Sequence, residues 1–393
     1  MKIVIVGGGA SGLFAAINIK NSDNEVIILE KNDMAGKKIL VTGNGRCNLW
    51  NENMNINKYY SNDMDILDSF FSESLVNNTY NKLEYLFDKF RVRDGYFYPY
   101  SNKATTVREV LINECNRLGV EIKLNYEVTS ITKKDKFLIN NEIECDKVII
   151  STGGCSLPTT GSTGSLFNIL SSLDHTINPL KPSLVPLYAN EYYLKKWNGI
   201  RCSANLELYV DGELKDKESG EIQLTEKGIS GVCVFNLSHH AVKAIDDGLN
   251  VNVKIDFLNM GDNPTDELSK YEDYRVYDVL LKYLDKKLIE IILDACDISY
   301  DCYFKSLTTK ELSKLSKKLS GFSINIIGYG DFNKSEATQG GISLKDIDIN
   351  TLESKKVKDL YLIGEVLDVD GKCGGYNLGF AWMSALKVSD HIC

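Results

Sequence analysis

The chain has 393 residues, 43% hydrophobic and 25% charged, which is the composition of an ordinary globular protein with room for two or three domains. Its 45 basic and 54 acidic residues give a formal net charge of −9, which argues against a nucleic-acid partner and a polybasic membrane contact, because both need a basic surface. The ten cysteines are scattered without a CxxC pair, which predicts reduced thiols in a cytoplasmic protein. Only four histidines are present, so we expect no metal site. No apolar run approaches the about 18 residues of a membrane helix, so we expect a soluble protein.

The first elements of the chain form a predicted βαβ unit. Lys2–Val6 is a short apolar run rich in β-branched residues, which is typical of a buried strand. A glycine-rich turn over 7–12 follows, then a predicted helix over 13–20 and a second buried strand at Glu25–Leu29. A strand, a glycine turn, a helix and a second strand in this order indicate a Rossmann-like α/β fold.

The rest of the chain divides into a long loop, a middle segment of changed pattern and a return to the first pattern. Residues 31–60 are polar and rich in Gly and Asn, and a loop of this length inside a domain favours a functional role. We predict helices over 64–90 and 104–118 and short strands over 120–150. The middle segment, 185–332, is predicted to be an inserted domain, β-rich over 185–260 and helical over 261–320. After 333 the chain resumes with a strand over 360–363, a glycine turn over 364–375 and a helix over 376–392.

The opening turn carries a dinucleotide fingerprint, Gly7-Gly8-Gly9-Ala10-Ser11-Gly12. In such a turn the first glycine permits the sharp bend, the second lets the backbone approach a pyrophosphate, and the third allows the helix to pack on the strand. Glu30 ends the second strand, where a carboxylate suits ribose hydroxyls and would repel a 2′-phosphate. The fingerprint therefore predicts a dinucleotide other than NADP, but it does not distinguish NAD from FAD.

The closing segment favours FAD. An acidic turn follows the strand over 360–363, and an aspartate there can accept hydrogen bonds from the hydroxyls of a flavin cofactor. Gly374 and Gly375 then lead into the last helix, whose N-terminus offers positive potential where charge builds up on a reduced flavin ring.

Blocks spread over nearly the whole chain resemble the BaiN-like (YhiN-like) flavoproteins, also described as aminoacetone oxidase-family FAD-binding enzymes. The most characteristic block is TGNGRCN (42–48), inside the long loop. The others are GGGASGLFAA (7–16), FYPYSNKATTV (97–107), STGGCSLPTTGSTG (151–164), LTEKGISGVCVFNLS (224–238), ATQGGISLKDIDINTLESK (337–355) and IGEVLDVDGKCGGYNLGFAWMSA (363–385).

The resemblance implies an α/β fold in which a glutathione-reductase-type FAD domain, 1–184 and 333–393, is interrupted by a substrate domain, 185–332, and holds FAD without a covalent bond. Carried over position by position, the implied FAD contacts are Gly7, Gly9, Ala10, Ser11, Gly12, Glu30, Lys31, Gly36, Lys37, Lys38, Gly43, Asn44, Gly45, Arg46, Val128, Thr152, Gly153, Gly154, Gly364, Glu365, Asp370, Gly371, Gly375, Tyr376 and Asn377. The chain departs from the family at Glu226, where a histidine is frequent, and at Gly164-Ser165-Leu166, where GDG is frequent.

A few side chains are candidates for chemistry. Arg46 could contact FAD or an anionic substrate group, or form a surface ion pair. Tyr376 could donate a proton to a substrate carbonyl, or pack against the flavin edge. Cys47 and Cys373 are expected to pack rather than to act as redox thiols, because neither has a cysteine partner nearby in sequence. His239 and His240 are expected to be structural residues at a helix start, and His391 to be exposed.

Three functions remain open on the sequence alone. The first is reduction of an activated, enone-like C=C bond of a small molecule, with NADH or NADPH as a transient donor, since no second GxGxxG is present. The second is oxidation of an amine or aminoketone, with oxygen as electron acceptor. The third is an FAD-binding accessory module without its own small substrate, which the acidic charge disfavours if the partner is RNA. The oligomeric state stays open.

Overall fold

The computed structural model describes residues 1–21, 23–261 and 263–393. Contacts between Cα atoms divide the chain into two compact units. The first unit contains Met1–Ser183 and Phe332–Cys393, and the second contains Leu184–Asp331.

A parallel sheet forms the centre of the first unit. Its five strands lie in the order Leu360–Leu362, Lys147–Ile150, Lys2–Val6, Glu25–Leu29 and Glu121–Lys123. Apart from strand ends the three inner strands are buried, which explains why their sequences are continuous apolar runs. The carboxyl ends of parallel strands share one edge, so the Gly7 turn, Glu30 and the loop after Ile150 come together there.

Helices of the first unit pack against this sheet and against each other. The first helix, Ala10–Ile19, and the last, Tyr376–Ile392, are in contact, and the rings of Phe14 and Trp382 meet edge to face at 5.3 Å. The other α-helices are Met64–Phe70, Glu73–Phe87, Ala104–Leu118 and Phe167–Ser172. The predicted helical segment over 64–90 consists of two helices and ends before residue 90. It breaks at Ser72, whose side chain accepts a hydrogen bond from Leu75 N and so begins a second helix, and Phe90–Arg93 is a strand.

Short strands and 3₁₀ turns complete the first unit. Ile131–Lys133, Phe137–Ile139 and Ile143–Cys145 form one small sheet, and Trp50–Asn51, Tyr96–Pro99 and Phe90–Arg93 form another. Ile177–Ser183 pairs with Ala337–Ile342, and Tyr59–Tyr60 pairs with Asp370–Gly371. The 3₁₀ segments are Lys38–Gly45, Ile56–Lys58, Pro158–Thr160, Phe332–Lys334, Leu344–Asp346 and Gly364–Val366. The long loop over 31–60 is therefore partly ordered into short elements.

The second unit is an antiparallel seven-stranded sheet with helices. Its strands lie in the order Phe322–Ile326, Val251–Asp256, Arg201–Val210, Glu213–Thr225, Gly228–Ser230, Leu187–Tyr188 and Gly328–Tyr329. Its helical segments are Leu194–Trp197, Val232–Asp246, Pro264–Leu268, Ser269–Tyr271, Val276–Leu280, Lys286–Cys296, Phe304–Ser306 and Thr309–Ser320. His239 and His240 lie in the middle of Val232–Asp246 rather than at a helix start, because Gly231 begins that helix earlier.

Across the residues described by the structure, we find no helix with the length and apolarity needed to cross a membrane.

Candidate functional site

Two different structural requirements explain the three fingerprint glycines of the opening turn. Gly7 has φ +105°, and a Cβ there would lie 2.6 Å from the carbonyl oxygen of Ser151. A Cβ on Gly12 would lie 2.1 Å from the carbonyl oxygen of Gly7, so this position also excludes a side chain. A Cβ on Gly9 would meet only Ser151 O, at 3.9 Å, and Gly9 borders a cavity. The first and third glycines thus allow close packing, whereas Gly9 leaves space for a ligand.

The first helix begins at this cavity. Gly9 is its N-cap residue and supplies no side chain to accept the free N–H groups of the first turn. Ala10 and Ser11 of that turn line the cavity. Free N–H groups and the positive end of the helix dipole together favour an anion such as a diphosphate.

Glu30 is 7% exposed and already holds the turn in place. Its Oε2 accepts a hydrogen bond from Gly8 N at 2.8 Å, and its Oε1 accepts from Asn32 N and Asn32 Nδ2 at 2.9 and 2.7 Å. Since each carboxylate oxygen can accept more than one bond, Glu30 can still receive a ribose hydroxyl. Its first effect is to fix the backbone at Gly8.

The cavity brings together a large part of the residues predicted to contact FAD. These are Gly7, Gly9, Ala10, Ser11, Glu30, Lys31, Gly36, Lys37, Lys38, Val128, Thr152, Gly153, Glu365 and Asn377. They come from both sequence segments of the first unit, so one cavity connects the start of the chain with its end. Whether each of them contacts the cofactor stays a prediction.

Several lining residues were not among the predicted FAD contacts. They are Val6, Gly8, Leu29, Asn32, Ile39, Thr42, Tyr126, Glu127, Ser151, Thr160, Gly161, Ser162, Gly164, Ser165, Leu166, Glu336, Leu378 and Ala381. Most are neighbours in sequence of predicted residues and could have been included on that ground. Glu336 had no such signal, because it only precedes the ATQGGI block.

A group of four residues, which we call the Lys38 cluster, crosslinks the cavity wall. It consists of Lys38, Ser156, Thr338 and Glu365. Lys38 Nζ lies 2.7 Å from Glu365 Oε2 and also donates to the Ser156 hydroxyl.

The Glu365 carboxylate has two further donors in this cluster. Its Oε1 accepts from Ser156 Oγ and from Thr338 N, both at 2.8 Å. Thr338 Oγ1 in turn accepts from the backbone N–H groups of Cys155 and Ser156. The carboxylate of Glu365 therefore ties three chain segments together and is not free to serve only as a cofactor ligand.

Some predicted contacts do not line this cavity. They are Gly12, Gly43, Asn44, Gly45, Arg46, Gly154, Gly364, Asp370, Gly371, Gly375 and Tyr376. Gly43, Asn44 and Gly45 share positive φ values of 55°, 54° and 78°, which turn the chain back at the end of the 3₁₀ segment. The side chain of Arg46 is exposed and forms no ion pair within the described ranges, and its contact with FAD or an anionic substrate group stays a prediction.

An unsatisfied polar atom of the long loop lies beside the N-terminus of the last helix. Gly375, at φ +90°, is its N-cap residue, and a Cβ there would lie 2.7 Å from Trp50 O and 3.0 Å from Asn48 Oδ1. Asn48 Oδ1 is buried and has no hydrogen-bond partner among the described residues. A buried acceptor without a donor is uncommon, and a bound group that carries a donor would satisfy it. Asn48 ends the TGNGRCN block, so this block did contain the signal.

Tyr376 and Asn377 also have structural roles. Tyr59 OH donates to the carbonyl oxygen of Tyr376 at 2.9 Å, and the two rings meet edge to face at 5.9 Å. The Asn377 amide donates to Gly371 O at 2.8 Å and accepts from Gly371 N at 2.9 Å. Ser183 Oγ donates to Asp370 Oδ2 at 2.7 Å. Packing contacts of Tyr376 are thus established, and its role as a proton donor stays a prediction.

Cys47 is buried in the long loop, and burial raises the pKa of its thiol to about 12 despite a hydrogen bond from Thr42. A protonated, buried thiol is a poor nucleophile. We therefore expect a thiol reagent at about pH 8, near the ordinary thiol pKa, to label the exposed Cys393 and leave Cys47 unlabelled in the native protein. Mass spectrometry of labelled peptides measures this, with urea-unfolded protein as the control. Equal labelling of both thiols in the native state would contradict the packing role.

These features fit FAD in three respects. Gly9 provides open backbone at a helix N-terminus for the diphosphate, Glu30 provides a carboxylate for ribose, and Asn48 provides an orphaned acceptor beside the last helix. Of the two departures from the family pattern, Gly164-Ser165-Leu166 lines the cavity. Glu226 lies in an exposed turn of the second unit.

Comparison with known proteins agrees with this geometry. The family model described as HI0933-like protein Rossmann domain matches residues 1–391. The chain is 33% identical over 393 residues to an enzyme of Clostridium scindens named 3-dehydro-bile acid delta(4,6)-reductase, covering 97% of this chain and 96% of the relative. It is 25% identical over 392 residues to the ribosomal RNA dihydrouridine synthase of Escherichia coli, covering 97% of this chain and 95% of the relative.

Among solved structures, the open conformation of a flavocytochrome c3 fumarate reductase is similar with a TM-score of 0.49 at 13% identity, covering 100% of this chain and 78% of that one. The match of the family model over both segments of the first unit and the whole insert confirms the resemblance seen in the sequence blocks. The chain therefore belongs to the HI0933-like family of Rossmann-domain proteins and is an FAD-dependent oxidoreductase.

Proposed function

We propose that this protein reduces a carbon–carbon double bond conjugated to a carbonyl group, using NADH or NADPH to reduce its FAD. The observation that carries the proposal is the full-length similarity to the Clostridium scindens reductase. In that relative's name, 3-dehydro denotes a ketone at carbon 3 and delta(4,6) denotes double bonds at carbons 4 and 6, so the named substrate is a conjugated ketone.

A uracil base in RNA is a second candidate substrate. The Escherichia coli relative is named for dihydrouridine, which is uridine with its ring double bond, conjugated to a carbonyl, saturated. Both names thus describe hydrogen addition to the same kind of bond. The expectation that no nucleic acid binds this chain accordingly stays a prediction, resting on the acidic net charge of −9.

The residues of the cavity would have distinct tasks in this function. FAD, when bound, supplies hydride transfer. The backbone at Gly9 and the N-terminus of the first helix would hold its diphosphate, and Glu30 its ribose. The Lys38 cluster would keep the walls of the cavity at fixed separation. The second unit is proposed to carry substrate determinants. Glu226 belongs to this unit, so we expect the residue type at this position to differ between relatives with different substrates.

Anaerobic stopped-flow spectroscopy tests the proposal in two steps. We expect NADH or NADPH to bleach the flavin absorbance, and a steroid 4,6-dien-3-one or a uridine-containing RNA to restore it. Restoration by the steroid but not by the RNA would establish a small-molecule substrate, and the reverse would establish the RNA. Absence of bleaching by both nucleotides, or hydrogen peroxide formation with an amine as donor, would contradict the proposal and favour the amine oxidase alternative.

A further inference from the structure

Two of the four carboxyl groups at the cavity, those of Glu127 and Glu336, have no structural task. Glu336 lines the cavity and stands immediately before the strand Ala337–Ile342. Its carboxyl accepts no hydrogen bond from any described residue. By contrast, the carboxylates of Glu30 and Glu365 each accept three hydrogen bonds from protein donors. Glu336 is therefore free to interact with a molecule in the cavity.

Two members of the Lys38 cluster relate to Glu336, Thr338 by its position in sequence and Lys38 by its charge. Thr338, two positions along the chain, accepts hydrogen bonds from the Cys155 and Ser156 N–H groups. Lys38 acts on Glu336 electrostatically, but its ammonium is already paired with Glu365 at 2.7 Å. The other charged residues at the cavity are Lys31, Lys37, Glu30 and Glu127.

This environment favours the neutral form of the Glu336 carboxyl. Loss of surrounding water raises its pKa above the ordinary value of 4.5, and the Lys38 ammonium opposes the rise without cancelling it. The surrounding chain displaces water from the Glu336 carboxyl, but Glu336 as a residue remains exposed. Because it borders the cavity, a bound ligand would cover more of its surface and favour the neutral form further.

We propose that Glu336 is the proton donor for the substrate of this enzyme, an inference that rests on the proposed reduction of a conjugated C=C bond. Such a reduction breaks one π bond and forms two C–H bonds. The carbon distal to the carbonyl receives a hydride with two electrons from reduced FAD. The carbon next to the carbonyl receives a proton from the Glu336 carboxylic acid, which becomes a carboxylate and regains its proton from water. Charge and electrons balance, with the substrate reduced and the cofactor oxidised.

The first test separates the two half-reactions in Glu336→Gln. Glutamine keeps the size and polarity of the side chain but cannot donate this proton. Because general acid catalysis contributes about 10²–10⁴-fold, we expect reoxidation of the reduced flavin by the steroid dienone to slow by roughly 100-fold or more. Bleaching by the nicotinamide donor should be unchanged within about twofold, since it needs no substrate protonation. Glu109→Gln, which removes an exposed carboxylate on the helix Ala104–Leu118, is the matched control.

The second test needs neither FAD nor substrate. A carboxyl with a raised pKa in the folded state contributes stability below its unfolded pKa, and this contribution is lost as the pH rises through the folded value. From about pH 4.5 upward, the thermal midpoint of the wild-type apoprotein should therefore fall relative to that of Glu336→Gln, and then stay at a constant difference. Glu109→Gln should show no such trend.

The outcomes distinguish the inference from the function on which it rests. If neither the dienone nor the uridine-containing RNA reoxidises wild-type flavin, the proposed function and the inference are both overturned. If the substrate that does so reoxidises wild type and Glu336→Gln equally fast, only the inference is overturned. The same holds if Glu336→Gln loses FAD while its turnover per bound flavin is unchanged, because Glu336 would then be a cofactor ligand. A difference in thermal midpoint between wild type and Glu336→Gln that stays the same at every pH would also count against the inference.

Discussion

Gly9→Ala should give a folded protein that retains FAD poorly, whereas Gly12→Ala should be defective already in folding. At Gly9 the backbone has φ −79° and ψ −168°, which alanine adopts without strain, and the new methyl group meets only Ser151 O at 3.9 Å. The methyl group would occupy space at the cavity where the diphosphate is proposed to lie. Loss of one charge-assisted hydrogen bond of about 1.5–3 kcal/mol predicts FAD affinity lowered by roughly 10- to 100-fold.

At Gly12 the same methyl group would lie 2.1 Å from Gly7 O and 2.6 Å from Ser151 Oγ. The helix must then move away from the strand, and overpacking of this kind costs about 1–3 kcal/mol or more in the free energy of unfolding. Urea unfolding of the apoproteins and fluorescence titration with FAD measure the two effects separately. If Gly9→Ala binds FAD as wild type does, the diphosphate does not lie against this turn.

Local sequence patterns predicted those parts of the fold that depend on neighbouring residues. The apolar strands Lys2–Val6 and Glu25–Leu29 and the glycine turn between strand and helix are found as predicted, because burial on both faces of a parallel sheet leaves a visible run of residues. The break at Ser72 also had a local signal, because Ser72 is a typical N-cap residue before Glu73. A prediction for 64–90 that uses only the spacing of apolar residues overlooks this signal.

The contacts within the walls of the cavity could not be predicted from local patterns, because they join residues that are far apart in the sequence. Glu365 was predicted as a cofactor contact, but its partners Lys38, Ser156 and Thr338 lie 327, 209 and 27 positions away in the chain. No periodicity or spacing reports such a crosslink. Glu336 was missed for a related reason: its environment depends on which groups surround it in the folded chain, and a single carboxylate before a strand has no distinguishing pattern.

The Lys38 cluster leads to a second large effect, in Glu365→Ala. This change leaves the Lys38 ammonium, the Ser156 hydroxyl and the Thr338 N–H without their shared acceptor. Breaking a buried ion pair costs about 3–5 kcal/mol. Since the two side chains keep 22% and 19% of their surface exposed, we expect a smaller loss of ~2–4 kcal/mol in the free energy of unfolding of the apoprotein.

Chemical denaturation of Glu365→Ala beside Glu109→Ala measures this loss, since the exposed Glu109 should cost at most about 0.5 kcal/mol. Replacing both charges, as Lys38→Met with Glu365→Met, should recover part of the loss, because it leaves no unpaired charge. If Glu365 were instead only a cofactor ligand, Glu365→Ala would weaken FAD binding and leave the apoprotein as stable as the Glu109→Ala control. We expect Glu365→Ala to act mainly on the stability of the apoprotein, because all three donors to Glu365 belong to the chain itself.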